Sequence, residues 1–173
     1  TYADYFLKPF LDALEQIGVS PEVVMNHETY EKGLFAEYID LAIRNRDEIR
    51  GIIQQISGRD LPSDWFPYNP IGSDGSMDGV SVTGYEKPYV LWRDSSGNEG
   101  KSDIRKAHGK MPWRIDWAAR WVIHGITCEP AGKDHGSAGG SYDTGIPICK
   151  LLGGNPPDKI VYEWIQLKGM GPM

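Results

Sequence analysis

The chain has 173 residues, of which 40% are hydrophobic and 24% are charged, and its formal net charge is −6. This balance is typical of a soluble globular protein, and the acidic charge argues against a surface coated with basic side chains for nucleic acid. No apolar run approaches the roughly 18–20 residues that a membrane span needs, and no secretory signal is visible. We therefore expect a cytoplasmic protein with no membrane partner. The two cysteines form no CxxC pair and are expected to stay reduced.

Residues 1–57 begin with a predicted helix and a predicted strand. Apolar residues recur at helical spacing from Phe6 to Ile17, and Gly18 ends that run. Residues 22–26 read as a short buried strand after a turn. We expect the apolar face of the helix to lie in the core, with no function implied.

A longer helix is predicted from residue 29 to residue 57. Its apolar residues again follow helical spacing, and Gly58 supplies the stop. Gly33 and Gly51 weaken the helix, which favours its division into two pieces. This apolar stripe is also expected to be core.

The composition of the chain changes over residues 58–110. Prolines and glycines punctuate short runs of tyrosine, valine and tryptophan, such as residues 89–92. Short β-rich runs separated by turn residues indicate antiparallel strands joined by tight turns. We predict a small antiparallel β insertion here.

From residue 111 onward the pattern returns to helices and strands. Pro112 precedes Trp113, Trp117 and Trp121, which fall on one face of a predicted helix. Three tryptophans on one face are typical of a core rather than of a ligand platform. Trp113, in the first turn, is the one expected to project into a site.

The remaining elements predict an α/β fold. A strand at residues 127–129 is followed by a glycine-rich loop at 131–145, a helix at about 141–152 and a strand at 160–167. In a sheet of this kind, a glycine-rich loop at the carboxyl end of a strand is where the ligand binds.

The loop combines glycines with an Asp-His pair. Asp134 and His135 place a carboxylate and an imidazole among backbone amides that glycine leaves open to an oxygen-rich ligand. A ribose, a phosphate or an amino acid would suit this mixture. Neither GxGxxG nor GxxxxGK[ST] is present, so a merely flexible loop is the alternative. The glycines concerned are Gly132, Gly136, Gly139, Gly140 and Gly145.

Three blocks of sequence occur in order. They are residues 110–121 (KMPWRIDWAARW), residues 129–145 (EPAGKDHGSAGGSYDTG) and residues 161–165 (VYEWI). Together they resemble class I lysyl-tRNA synthetases, the Rossmann-type lysine–tRNA ligases typical of archaea and some bacteria. The resemblance covers most of the chain and is weakest over residues 63–100.

The resemblance implies a fold and an activity. Residues 1–57 and 111–173 would be parts of the catalytic region, with a partial Rossmann-type parallel sheet and helices, interrupted by the insertion at 58–110. The complete enzyme would activate lysine with ATP, with Mg²⁺ expected, to give lysyl-adenylate. It would then transfer the lysyl group to tRNA(Lys).

Two motifs of class I synthetases are missing from the sequence. No HIGH-type segment surrounds any of the four histidines. Residues 167–173 resemble the approach to a KMSKS-type loop and stop at its methionine. Because these motifs close the ATP site, we expect a central fragment of the enzyme that does not form lysyl-tRNA by itself.

Many members of that family carry a cysteine-rich zinc ribbon in the insertion. This chain has Asp94, Ser96 and Asn98 where thiolates and an imidazole would be expected, and residues 71–78 contain no CxxC. Serine and asparagine are poor zinc ligands. We therefore predict a ribbon-like insertion that binds no zinc, and assign no metal ligands.

The resemblance implies a lysine pocket. Trp113 and Tyr162 resemble aromatic residues of the family's pocket, where a ring would pack against the lysine methylenes and offer a cation–π face to the ammonium group. His135 resembles a polar contact to the amino acid. Asp116 is a candidate partner of the ammonium group, although an acidic residue early in a helix is equally explained by the helix dipole.

The resemblance also implies an adenylate site. Asp134 lies in a Gly-x-Asp segment similar to the one that class I synthetases place near the adenylate ribose, and a carboxylate can accept hydrogen bonds from both ribose hydroxyls. Gly132 and Gly136 would let the backbone approach the nucleotide. These residues hold substrate, and no catalytic nucleophile or base is assigned.

Two other functions are compatible with these residues. One is a nucleotide-binding or adenylating enzyme that does not use tRNA, which would bind nucleotide without a preference for lysine. The other is a non-catalytic binding module, which exposure of both Trp113 and Trp117 would favour.

Overall fold

The computed structural model describes residues 2–163 and 168–169, with side chains from residue 4 onward. The helices are α1 (Tyr2–Gln16), α2 (Asn26–Glu31), α3 (Ala36–Arg44), α4 (Arg46–Ser57), α5 (Trp113–Ile123), α6 (Lys133–Gly136) and α7 (Ser141–Leu151). The strands are β1 (Asn69–Pro70), β2 (Ser81–Glu86), β3 (Tyr89–Arg93), β4 (Glu99–Asp103), β5 (Gly109–Lys110), β6 (Cys128–Gly132) and β7 (Asp158–Tyr162).

Helix α1 forms where the periodicity predicts it, and Gly18 adopts a left-handed φ of 78° beyond its end. The prediction that its apolar face is core is wrong. Phe6 and Phe10 are each 58% exposed and Ile17 is 73% exposed. The reason is that no other described helix or strand packs extensively against α1. Helical spacing determines which side chains share a face, but it does not supply the surface that covers them.

The predicted strand at residues 22–26 is also wrong. Residues 19–25 have no regular structure, and Asn26 already begins α2. Val23 and Val24 are exposed. A β-branched run becomes a strand only beside a partner strand, and within residues 2–163 none pairs with this segment.

The predicted helix over 29–57 is divided into parts of α2, α3 and α4. The chain turns after α2 at Gly33, where φ is 72° and a Cβ would lie 2.9 Å from the carbonyl oxygen of Arg105. Gly51, by contrast, stays inside α4. Gly58 ends α4 in the left-handed conformation, as predicted.

The insertion is antiparallel, as predicted. Strands β2, β3 and β4 form one sheet and β1 pairs with β5. Asp40 of α3 anchors the larger sheet, because its buried carboxylate accepts hydrogen bonds from Tyr85 and Lys87, both at 2.8 Å, and pairs with Arg44 at 2.6 Å. The likeness to a zinc ribbon and the domain boundaries at 57 and 110 remain predictions.

Strands β6 and β7 pair in parallel, with Cys128 opposite Asp158 and Gly132 opposite Tyr162. Helices α6 and α7 connect them, so the α/β character predicted for this part is confirmed. The larger Rossmann-type sheet remains a prediction. Strand β7 begins earlier than predicted, and the predicted strand residues 164–167 lie outside the described residues.

The core centres on the packing of α5 against α7. Trp121 of α5 is buried, and its Nε1 donates a hydrogen bond to Glu129 at 2.6 Å. Gly145 of α7 lies directly against this ring, because a Cβ there would be 2.5 Å from Cη2 of Trp121. This contact holds α5 and α7 together, and the hydrogen bond to Glu129 joins α5 to β6.

Candidate functional site

All of the predicted site residues except Asp116 collect at the carboxyl end of the β6–β7 pair. Gly132 and Tyr162 form the last pair of the parallel register. The Tyr162 ring is exposed, and its Cε2 lies 3.8 Å from the position that a Cβ of Gly132 would occupy. Helix α6 follows Gly132 directly and carries Asp134 and His135. Ligands of α/β proteins bind at this edge of a parallel sheet.

Trp113 joins this group from the first position of α5. Its ring stacks on Trp117 with centroids 5.1 Å apart and makes an edge contact with His135, also at 5.1 Å. Trp113 is 46% exposed, whereas Trp117 is 8% and Trp121 is 1% exposed. The first tryptophan of the stripe therefore faces out beside the imidazole, and the other two are core.

Asp134 and His135 form a polar pair within this group. Nε2 of His135 lies 3.2 Å from Oδ2 of Asp134, and the two side chains are 45% and 40% exposed. The carboxylate can accept hydrogen bonds from hydroxyl or ammonium groups, and the imidazole can donate or accept one. An aromatic face, an imidazole and a carboxylate are thus available together to a polar ligand.

The glycines of the loop have packing roles that the sequence did not reveal. A Cβ on Gly136 would lie 2.7 Å from Cγ2 of Val161 on β7, and one on Gly140 would lie 2.4 Å from the carbonyl oxygen of His135. A Cβ on Gly132 would lie 2.7 Å from Oδ1 of Asp134, so the missing side chain there makes room for the carboxylate. The assignment of Gly132 and Gly136 to a nucleotide remains a prediction.

Asp116 lies apart from this group, on the buried side of α5. Its carboxylate accepts a 2.6 Å hydrogen bond from Tyr30 and pairs with Arg120 at 2.9 Å. Asn26 adds two long contacts of 3.4 Å. The carboxylate is therefore already partnered by groups of the chain, and its predicted contact with a ligand ammonium group remains a prediction.

Sequence reasoning missed Tyr30, which lies 86 residues from Asp116. Its hydroxyl also accepts a hydrogen bond from the Met111 backbone N–H at 3.1 Å, so it links α2 to the start of α5. Burial and the negative charge of Asp116 raise the pKa of Tyr30 above its ordinary value, which keeps the hydroxyl protonated as a donor. Only the i,i+4 spacing of Asp116 and Arg120 was available in the sequence as a signal.

Hydrogen bonds join the turns of the insertion at Asp94 and Asn98, two of the positions where the resemblance implies zinc ligands. Asp94 accepts hydrogen bonds from Ser73 at 2.5 Å and from Asn98 at 3.1 Å. These bonds lower the pKa of Asp94 to about 2. Within the described part of the chain, no three His, Cys, Asp or Glu side chains are placed to hold a metal ion. The donor set does not fit a tetrahedral zinc site, and the absence of zinc remains a prediction.

Comparison with known proteins decides the family. The sequence profile described as tRNA synthetases class I (K) matches residues 1–173. The chain belongs to this family. It is 43% identical over 175 residues to the lysine–tRNA ligase of Picrophilus torridus, covering 100% of the chain and 35% of that protein.

Two other members of the class I synthetase family show a similar identity and a similar coverage. The chain is 42% identical over 174 residues to the lysine–tRNA ligase of Thermoplasma acidophilum, covering 99% of the chain and 34% of that protein. It is 44% identical over 176 residues to lysine–tRNA ligase 1 of Methanosarcina acetivorans, covering 99% of the chain and 33% of that protein. This synthetase chain therefore spans about a third of the length of the curated relatives it matches. None of its described helices is long and apolar enough to cross a membrane.

Proposed function

We propose that this chain is part of a cytoplasmic lysine–tRNA ligase and supplies the lysine pocket and the ribose side of the adenylate site. The observation that carries the proposal is the contact between Trp113 and His135 beside Asp134, in a chain that matches the family over its whole length. The proposed reaction activates lysine with ATP and transfers the lysyl group to tRNA(Lys).

The lysine side chain would lie against the exposed ring of Trp113, with Tyr162 at the other side of the site. An aromatic face contributes packing for the methylenes and a cation–π interaction with the ammonium group. His135 would contact the amino acid through its exposed imidazole. Asp116 would act behind the pocket, since Tyr30 or Arg120 would have to give way before an ammonium group reached its carboxylate.

The adenylate would lie against the end of β6. The exposed Asp134 carboxylate would accept hydrogen bonds from the ribose hydroxyls, and Gly132 would leave room for that carboxylate at the end of β6. Gly136 keeps α6 against β7 and so holds Asp134 in place. Mg²⁺ is expected to arrive on the ATP phosphates, because this ion is usually bound through substrate phosphates and few carboxylates.

These residues position the reactants rather than react themselves. In the first step the lysine carboxylate attacks the α-phosphorus of ATP and pyrophosphate leaves. In the second step a ribose hydroxyl of the terminal adenosine of tRNA attacks the lysyl carbonyl and AMP leaves. Both steps depend mainly on positioning and charge stabilisation.

Lysine-dependent ATP–pyrophosphate exchange by the complete natural polypeptide tests the proposal. His135→Ala should raise the KM for lysine about tenfold, the effect of losing one hydrogen bond to a charged group, with the KM for ATP little changed. His27→Ala, a change of an exposed histidine on α2, is the matched control. Exchange that proceeds equally well without lysine would favour a tRNA-independent adenylating enzyme. Failure of the complete polypeptide to catalyse exchange would contradict the proposal.

A further inference from the structure

Two arginines lie near the candidate site without an acidic partner. Arg59 follows Gly58 at the end of α4, and Arg114 is the second residue of α5. Burial lowers the pKa of Arg114, and the neighbouring charge of Arg59 lowers it further. Among residues 2–163 and 168–169, neither guanidinium group forms an ion pair with a carboxylate.

This arrangement differs from that of most other arginines in the described residues, which pair with aspartate or glutamate. The paired arginines are Arg44, Arg46, Arg93, Arg105 and Arg120. Two guanidinium groups close together repel each other, and a bound anion removes that repulsion. The planar guanidinium group is well suited to phosphate, to which it donates two parallel hydrogen bonds.

Arg114 is held in position for such a role. Its Nη1 donates a hydrogen bond to Oγ1 of Thr144 at 3.1 Å, which directs the guanidinium group to the first turn of α7. Its Nε is buried and has no hydrogen-bond partner among the described residues. A guanidinium group carries five N–H donors, and within the described residues only Nη1 of Arg114 is shown to donate a hydrogen bond.

The end of α4, just before Arg59, lies against the loop before α7, and Arg114 of α5 reaches the first turn of α7. A Cβ on Gly139 would lie 3.3 Å from the carbonyl oxygen of Ile56, which places the end of α4 against this loop. The one carboxylate of the first turn of α7, Asp143, is already occupied. It accepts a hydrogen bond from the Gly139 N–H at 2.9 Å and pairs with Lys159 at 3.2 Å. Asp143 is therefore not available to neutralise Arg114, and the amino end of α7 contributes a further partial positive charge beside it.

We propose that Arg59 and Arg114 bind a phosphate group of a substrate at the start of α7, next to the candidate lysine and adenylate site. The choice of substrate rests on the proposed function. The phosphate belongs either to the ATP or to the 3′ end of the RNA, because both present the same charged oxygens. Loop residues 137–140 separate this place from α6, which carries Asp134 and His135.

The test compares Arg59→Gln and Arg114→Gln with Lys150→Gln in the complete natural polypeptide. Lys150→Gln makes the same charge change at the exposed far end of α7. Calorimetry with inorganic pyrophosphate, ATP and tRNA gives the affinities, and the tRNA titration is repeated at several salt concentrations. Each arginine variant should weaken binding of its phosphate about tenfold, as expected for the loss of a charged hydrogen bond.

The pattern of losses identifies the source of the phosphate. Weaker binding of pyrophosphate and ATP with unchanged tRNA binding assigns the site to the nucleotide. Weaker tRNA binding, with a salt dependence shallower by about one unit in log K against log salt, assigns it to RNA. Arginine variants that match Lys150→Gln for all three ligands would overturn the inference.

Two further results keep this test separate from folding and from the proposed function. Arg59 is exposed, so Arg59→Gln is expected to fold normally. A loss of binding confined to Arg114→Gln would contradict the proposal that both arginines bind the phosphate. If the natural polypeptide shows no lysine-dependent exchange but loses pyrophosphate binding in both arginine variants, the proposed function fails and the phosphate site stands.

Discussion

Replacing Tyr30 with phenylalanine tests the buried network behind the candidate site. The Tyr30 hydroxyl donates to Asp116 at 2.6 Å and accepts from the Met111 N–H at 3.1 Å. The Tyr30 ring stacks on Phe35 with centroids 3.9 Å apart, and a phenylalanine at position 30 keeps that contact. The substitution therefore removes one oxygen atom and two hydrogen bonds and leaves the packing unchanged.

The expected loss of unfolding free energy follows from these two bonds. A hydrogen bond to a charged carboxylate contributes about 1.5–3 kcal/mol, and a buried N–H left without a partner costs about 1–3 kcal/mol. The bonds share one oxygen and are not additive, so we expect a loss of about 2–5 kcal/mol. For a chain of this size that corresponds to a fall in Tm of roughly 5–15 °C.

Urea denaturation followed by tryptophan fluorescence measures the effect. Tyr30→Phe should lower the midpoint without changing the m-value, and Tyr38→Phe, a half-buried tyrosine in α3, should stay within about 0.5 kcal/mol of the wild type. Because the pKa of Tyr30 is raised in the folded state, its contribution is complete below the ordinary tyrosine pKa of about 10 and is lost at higher pH. A Tyr30→Phe variant as stable as the wild type at pH 7 would refute the network.

Two other predictions concern stability. Gly145→Ala places a Cβ 2.5 Å from the Trp121 ring and should destabilise the chain by about 1–3 kcal/mol in urea, whereas Gly51→Ala, with open space around it in α4, should stabilise it by about 0.5–1 kcal/mol. Changes of the same sign would contradict the α5–α7 packing. The hydrogen bond from Arg105 lowers the pKa of Asp103 to about 2, so its contribution is present above about pH 4 and is lost as the pH falls towards 2. Asp103→Asn should flatten the acid limb of the unfolding curve, and Asp12→Asn, in exposed α1, should leave it as in the wild type.

The parts of the fold that were predictable from sequence have strong local signals. Helix α1 and the end of α4 follow from apolar periodicity and from Gly18 and Gly58, both of which take left-handed φ. The division of the tryptophans also follows, because Trp113 lies in the first turn of α5, where the helix has not yet entered the core. These features depend on residues that are close in sequence, so no tertiary information is needed.

The errors come from contacts that periodicity does not contain. Residues 22–26 have β-branched residues but no partner strand among the described residues. The bond between Tyr30 and Asp116 joins positions 86 apart, and helices α4 and α5, which are far apart in sequence, both pack on α7. Such pairs have no spacing rule, so they became visible only with the fold.

In the glycine-rich loop, the glycines and the polar side chains have different roles, in packing and in binding. Gly136, Gly140 and Gly145 are required by Val161, by the His135 carbonyl group and by Trp121, and Gly132 and Gly139 also have close neighbours within the chain, so packing accounts for these glycines without a ligand. Their contacts hold α6 on β7 and α7 on α5. Because these helices are fixed, Asp134, His135 and Trp113 are presented together at the end of β6. Recognition of a ligand at this site therefore rests on those three side chains, while the glycines act mainly by keeping them in place.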